Sequence, residues 1–151
     1  MTRRNLLAIA GLILAAVPAA AFAQKGPNFP RLRAALHELR EARGELKAAN
    51  DRWPAGYKER SLASIDDAIN SVRGILKVND VNSFRGVDRN DDYYKKFKDH
   101  PRLRSALQDL REARGELLAS PAEVGNLKER AIDDIDVAIG DILVLIRNDR
   151  R

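Results

Sequence analysis

An internal repeat constrains this chain more than any other feature. Residues 29–49 read FPRLRAALHELREARGELKAA and residues 100–120 read HPRLRSALQDLREARGELLAS, identical at 15 of 21 positions. A second pair of blocks follows, KERSLASIDDAINSVRGILKV at 58–78 and KERAIDDIDVAIGDILVLIRN at 128–148. It keeps seven of 21 positions and most of its apolar ones. Phe29 aligns with His100 and Lys58 with Lys128, so the loop inside the second copy is shorter by a single residue. A chain built from two copies of one supersecondary unit must fold so that each copy covers the other's apolar face.

Both blocks have helical period. Leu32, Ala35, Leu39, Ala42, Leu46 and Ala49 alternate steps of three and four, with Leu36 widening the stripe. Leu103, Ala106, Leu107, Leu110, Ala113 and Leu117 repeat it. In the second blocks the stripes are Leu62, Ile65, Ile69, Val72 and Leu76, and Ile132, Ile135, Ile139, Ile142 and Ile146. Val137, Leu143, Val144 and Leu145 make the last helix apolar nearly all round, which predicts that it is the most buried. Pro30 and Pro101 suit a first helical turn, and Ser120-Pro121-Ala122-Glu123 reads as a capping box opening the last helix. Asp51 to Pro54 is a looser version of that start. Short turns inside each copy make antiparallel hairpins, and two hairpins most simply bury their stripes in one all-α four-helix bundle. Up-down-up-down order is preferred. The long connection leaves a crossover open, and pairing of hairpins from two molecules leaves a dimer open.

The domain reading is therefore a hairpin at 29–78, a connecting segment at 79–99 and a second hairpin at 100–148. The connection carries Phe84, Tyr93, Tyr94 and Phe97, four of the seven aromatics that follow residue 23. It is too long to be left structureless in a compact domain, and a short helix is expected near 91–98.

Ahead of the repeats stands MTRRNLLAIAGLILAAVPAAAFAQKG. Arg3 and Arg4, an uncharged run from Leu6 to Ala16, the break at Val17-Pro18 and the A-x-A triplet at 21–23 read as a signal peptide over residues 1–23. The uncharged run is about half of the ~20 residues that a membrane span needs. Cleavage removes Arg3 and Arg4 from the 27 Lys plus Arg, leaving 25 against 22 acids, with no Cys and no Met. The expectation is a single periplasmic or secreted bacterial domain, 24–151, with no transmembrane segment after cleavage. Without Cys it has no disulfide, thiolate zinc site or lipid-anchoring thiol, so packing alone holds it together.

The same composition argues against most chemistry. There is no P-loop, G-x-G-x-x-G or G-x-S-x-G, and neither His37 nor His100 has Glu three residues before it, as a di-iron bundle requires. The two histidines are not repeated between the copies. Asp133, Asp134, Asp136 and Asp141 are read as surface acids and not as a cation site. The run Asp88-Arg89-Asn90-Asp91-Asp92 starts like an EF-hand but has Tyr93 where that loop needs Gly. No cofactor, metal or catalytic residue is expected.

Four features remain. Arg43 with Asp66, and Arg114 with Asp136, border the apolar stripes as repeated opposite charges, read as ion pairs that set hairpin register and alternatively as a binding seam. Tyr93, Tyr94, Lys95, Lys96, Phe97 and Lys98 interleave aromatics with cations and form the candidate contact region for a protein or an anionic envelope component. The alternative is a capping segment with buried rings and wet lysines. Nucleic acid is not expected, because the mature charge is only +3. Gly44 and Gly115 sit mid-helix at a propensity cost of about 1 kcal/mol each, read here as sites of close helix approach. Trp53 and Tyr57 are expected to cover one end.

The pattern HPRLRxALxxLREARGEL followed by KERxxxxIDxAI resembles repeats in small exported bacterial proteins of helical type. The resemblance covers both hairpins and not the connection. It implies a helical fold and export, and it transfers no functional residue. The function expected is interaction and not catalysis, with a carrier of an apolar ligand as the alternative and a metal-binding bundle as the weaker one.

Overall fold

The computed structural model describes residues 29–50, 54–77, 86, 89–121 and 125–148. The expected signal peptide, Trp53 and Phe84 lie outside these residues, as does part of the expected capping box. The described chain is all-helical: α1 (Pro30–Ala48), α2 (Tyr57–Leu76), the single turn α3 (Asp91–Tyr94), α4 (Pro101–Ala119) and α5 (Leu127–Asn148). None of these helices is long and apolar enough to cross a membrane.

The four long helices share one core. Equivalent residues of the duplicated stripes enter it together: Leu32 and Leu103, Leu39 and Leu110, Leu46 and Leu117, and Ile65 and Ile135 are all fully buried, as are Ala35, Ala42, Ala106 and Ala113. The alanines thin the α1 and α4 faces so that these two helices approach closely. The dominant contacts run between the copies, α1 against α4 and α2 against α5, and the hairpin partners α1–α2 and α4–α5 pack less extensively. Each helix thus lies chiefly on its own duplicate.

Side-chain pairs fix the directions. Arg31 meets Glu116 at 3.1 Å and Arg102 meets Glu45 at 3.2 Å, which requires α1 and α4 to be antiparallel. Arg60 on Asp141 and Gly74 beside Leu127 do the same for α2 and α5. The turns are closed by lysines: Lys58 Nζ donates to Ala49 O at 2.6 Å and Lys128 Nζ to Ser120 O at 2.7 Å. With all neighbours antiparallel, the chain order is up-down-down-up, and α4 begins at the opposite end of the helices from Lys77. The preferred up-down-up-down order is thereby replaced by a crossover. The physical reason is the pairing of duplicated faces, which brings α4 antiparallel to α1 and so parallel to α2.

Four further expectations change. Ser120 ends α4 in extended conformation (φ −72°, ψ 126°) and does not open α5, which starts at Leu127. Likewise α2 starts at Tyr57 behind Gly56, whose φ of +90° suits glycine and whose N–H donates to Glu59 Oε2 at 3.1 Å. Helix α5 is not the most buried, because Val137 is 47% exposed and Leu143 and Val144 are half-buried. Leu143 packs against the edge of the core, whereas Val137 stands in water. Finally, Gly44 and Gly115 are exposed, and a Cβ on either meets nothing within 4 Å, so close approach does not explain them.

Candidate functional site

The described part of the connection is a strap, residues 89–100, laid along the seam between α1 and α4. Asn90 caps its single turn by accepting the Tyr93 N–H at 3.0 Å, with Asp91 and Asp92 in the first turn. Arg104 closes the far end on Asp99, and His100 turns the chain into α4 with φ +46°.

Arg89 pins the strap. Its guanidinium, 10% exposed, grips Asp109 of α4 with two parallel bonds of 2.8 Å. It also donates to Ser105 Oγ at 2.6 Å and Glu45 Oε1 at 3.1 Å, with Glu41 Oε2 at 3.9 Å. Glu41, Glu45 and Asp109 are themselves buried. Buried carboxylates of one sign need a compensating cation, and the planar fork of arginine satisfies several at once. Burial works against the charge on Arg89, but hydrogen bonding to Asp109 and that residue's charge, with Tyr93 and Glu45 behind them, hold it above the ordinary arginine value. Asp109 is shifted upward, first by burial. Arg89 pulls it back, while Glu45 and Glu112 push with the burial.

The strap's rings face the same cluster. Tyr94 Oη donates to Glu45 Oε1 at 2.7 Å, and its hydroxyl pKa is pushed up to about 12 by burial and then by that carboxylate. Tyr93 Oη shares a hydrogen bond with Ser105 Oγ at 3.2 Å, and its ring lies 4.8 Å from the Arg89 guanidinium carbon. Tyr93 meets Tyr94 and Phe97 edge to face, at 5.2 and 6.0 Å. Lys95, Lys96 and Lys98 are exposed. Lys96 caps the Tyr93 ring at 4.0 Å and Lys95 reaches Asp92. Of the six candidate contact residues, then, the three rings are half-buried with both tyrosine hydroxyls turned to the seam, and the three lysines face water.

The other candidates are ion pairs. Arg43 Nε lies 2.5 Å from Asp66 Oδ1 and Arg114 Nε 2.7 Å from Asp136 Oδ1, each bidentate between hairpin partners and each about two-fifths exposed. They stand apart from the strap and line neither of its flanking grooves. Asp141 is held by Arg60. Asp134 is shifted upward by burial and by Asp67 across the α2–α5 contact. Tyr57 packs on the edge of the core with Arg60 over its ring at 4.9 Å.

Two open grooves flank the strap. One, about 430 Å³, is lined by Phe97, Arg104, Leu107, Gln108, Arg111 and Glu112. The other, about 460 Å³, runs past His37, Glu38, Arg89, Asn90, Tyr93 and Asp109 to the same Gln108 and Glu112. On its floor Glu38, Asp109 and Glu112 bring carboxylate oxygens within 4.8 Å of one another. Gln108 Nε2 donates to Glu112 Oε1 at 2.9 Å. Glu38 is shifted upward, by burial and then by Asp109 and Glu112.

Sequence reasoning missed this centre. Arg89 is visible in the sequence only inside a rejected calcium-loop pattern, and helical period gives Glu41 and Glu45 no distinguishing mark. A usable signal was present: Asp109 lies one helical turn from Ala106 and from Ala113 of the apolar stripe, where an unpartnered carboxylate is costly. No protein-family model matches the chain, and neither curated proteins nor solved structures give a match.

Proposed function

We propose that the protein is an exported, non-enzymatic four-helix bundle of two tandem hairpins, released from a signal peptide at residues 1–23, that works by surface recognition. Its contact element is the strap, and its partner is an anionic component of the cell envelope. One observation carries the reading: Lys95, Lys96 and Lys98 are exposed along a segment whose backbone is anchored from beneath by Arg89, Tyr93 and Tyr94. A short segment held in one conformation loses little entropy when its charges meet a partner. The rings supply the anchor and the lysines the recognition, a division of labour that differs from an exposed aromatic patch. The flanking grooves are open surface features, which favours surface recognition over a carrier of an apolar ligand in the core.

The test uses vesicles of phosphatidylglycerol mixed with phosphatidylcholine, compared with phosphatidylcholine alone. The mature protein is expected to co-sediment with the anionic vesicles at low salt, and less so as salt rises. Replacing Lys95, Lys96 and Lys98 by Gln is expected to abolish retention at unchanged helicity. Equal retention of both forms would overturn the strap as contact element.

A further inference from the structure

The α1–α4 seam is built twice, and Arg89 sits in one half of it. Arg102 occupies in the second copy the place of Arg31 in the first, and Glu116 the place of Glu45. The Arg31–Glu116 and Arg102–Glu45 bridges are therefore the same contact repeated about a pseudo-two-fold axis. The same alignment carries the Arg89 pocket onto a twin. Glu41 and Glu45 of α1 become Glu112 and Glu116 of α4, while Asp109 of α4 becomes Glu38 of α1 and Ser105 becomes Ala34. Every carboxylate that holds Arg89 therefore has a carboxylate counterpart, and only the serine hydroxyl is lost.

The repeat does not supply the matching cation. Ahead of the first copy, the position equivalent to Arg89 is Pro18. In the twin half Glu38 and Glu112 line the 460 Å³ groove, with oxygens within 4.8 Å of each other and of Asp109. Asp109 is already gripped by Arg89, Gln108 takes one oxygen of Glu112, Arg31 pairs with Glu116 at the outer edge, and His37 and Arg89 face Glu38 from beside the groove. Two helices thus present carboxylates across a groove in the arrangement that, one half-turn of the pseudo-axis away, holds a guanidinium.

We propose that this half of the seam, Glu38 with Glu112 and Glu116, binds an arginine side chain of a protein partner as the other half binds Arg89. An arginine suits it better than a lysine, because carboxylates on two helices match a planar fork and not a point charge. The site goes beyond the strap's proposed envelope contact and uses opposite charge on a different set of residues, so either can fail alone.

The natural probe is a synthetic peptide of residues 86–98 of this chain, which carries Arg89, titrated into the intact mature protein by calorimetry and by two-dimensional NMR. Saturable binding is expected, with the largest shifts at Glu38 and Glu112. Glu38→Gln with Glu112→Gln in the protein, or Arg89→Ala in the peptide, is expected to weaken it by about tenfold or more, and Arg89→Lys in the peptide by less. Helicity of the protein variants, read by circular dichroism, separates loss of the site from loss of fold. Absence of binding overturns the proposal. So does binding undiminished by the protein substitutions, the mark of exchange with the resident strap. Calcium chloride that perturbs Glu38 and Glu112 when the peptide does not would also overturn it, in favour of a metal.

Discussion

Arg89 shows how one residue from a loop decides whether a charged seam is stable. Truncating it leaves Glu41, Glu45 and Asp109 buried without their shared cation, the case in which breaking a buried pair costs most. Arg89→Met is expected to lower unfolding free energy by on the order of 3 kcal/mol at neutral pH, measured by urea denaturation. The glycines give the opposite sign. Gly44 and Gly115 are exposed in helix interiors with open space where a Cβ goes. Gly44→Ala and Gly115→Ala are each expected to add about 1 kcal/mol, additively, in the same measurement. Glu38 supplies a pH dependence. Its folded pKa is raised above 4.5, by burial and by Asp109 and Glu112. Between the unfolded and folded values the native chain therefore holds more proton than the unfolded one. This group's contribution to stability grows as pH falls through the folded value and is complete below the unfolded one. Glu38→Gln is expected to stabilise the protein slightly at pH 7, by less than about 1 kcal/mol, with the gain fading on acidification.

At the scale of elements, the strap and the inter-helix ion pairs behave differently because of water. The Arg43–Asp66 and Arg114–Asp136 pairs are bidentate but two-fifths exposed. Neutralising one partner, as in Asp136→Asn, is expected to change the unfolding free energy by no more than about 1 kcal/mol and less in high salt. Their value lies in register: both tie hairpin partners at the same level in each copy. The strap is instead held by groups that water scarcely reaches. The aromatic–basic run from Tyr93 to Lys98 was legible as a distinct segment, but the side on which each residue lies was not. Periodicity cannot orient one helical turn, and the hydrogen-bond partners for its hydroxyls come from Glu45 and Ser105 on other helices.

At the scale of the molecule, most burial runs between duplicates and not within hairpins. A hairpin alone leaves the faces of α1 and α2 that α4 and α5 cover exposed to water. Residues 29–77 in isolation are expected to have low helicity at low micromolar concentration by circular dichroism. Helix should return as concentration rises, because α1 resembles α4 closely enough to pair with itself. Addition of residues 86–148 is expected to restore it at lower concentration, since only that fragment brings Arg89.

The sequence by itself determined the helices, their apolar stripes, the duplication and the all-α class, because helical period and repeat are local patterns that survive without knowing what packs on what. Element ends were less legible: Ser120 and Pro121 have start chemistry, yet α4 uses Ser120 to stop. Only the tertiary structure decided that equal faces pair with each other, that the chain therefore crosses over, and that Glu41, Glu45 and Asp109 are buried about Arg89. Those outcomes depend on which surfaces meet, and a buried charge is tolerated only where a partner from distant sequence arrives. The repeat does more here than build a fold. Among the described residues the seam is built twice and an arginine from the connection grips one half of it, the asymmetry on which the proposed partner site rests.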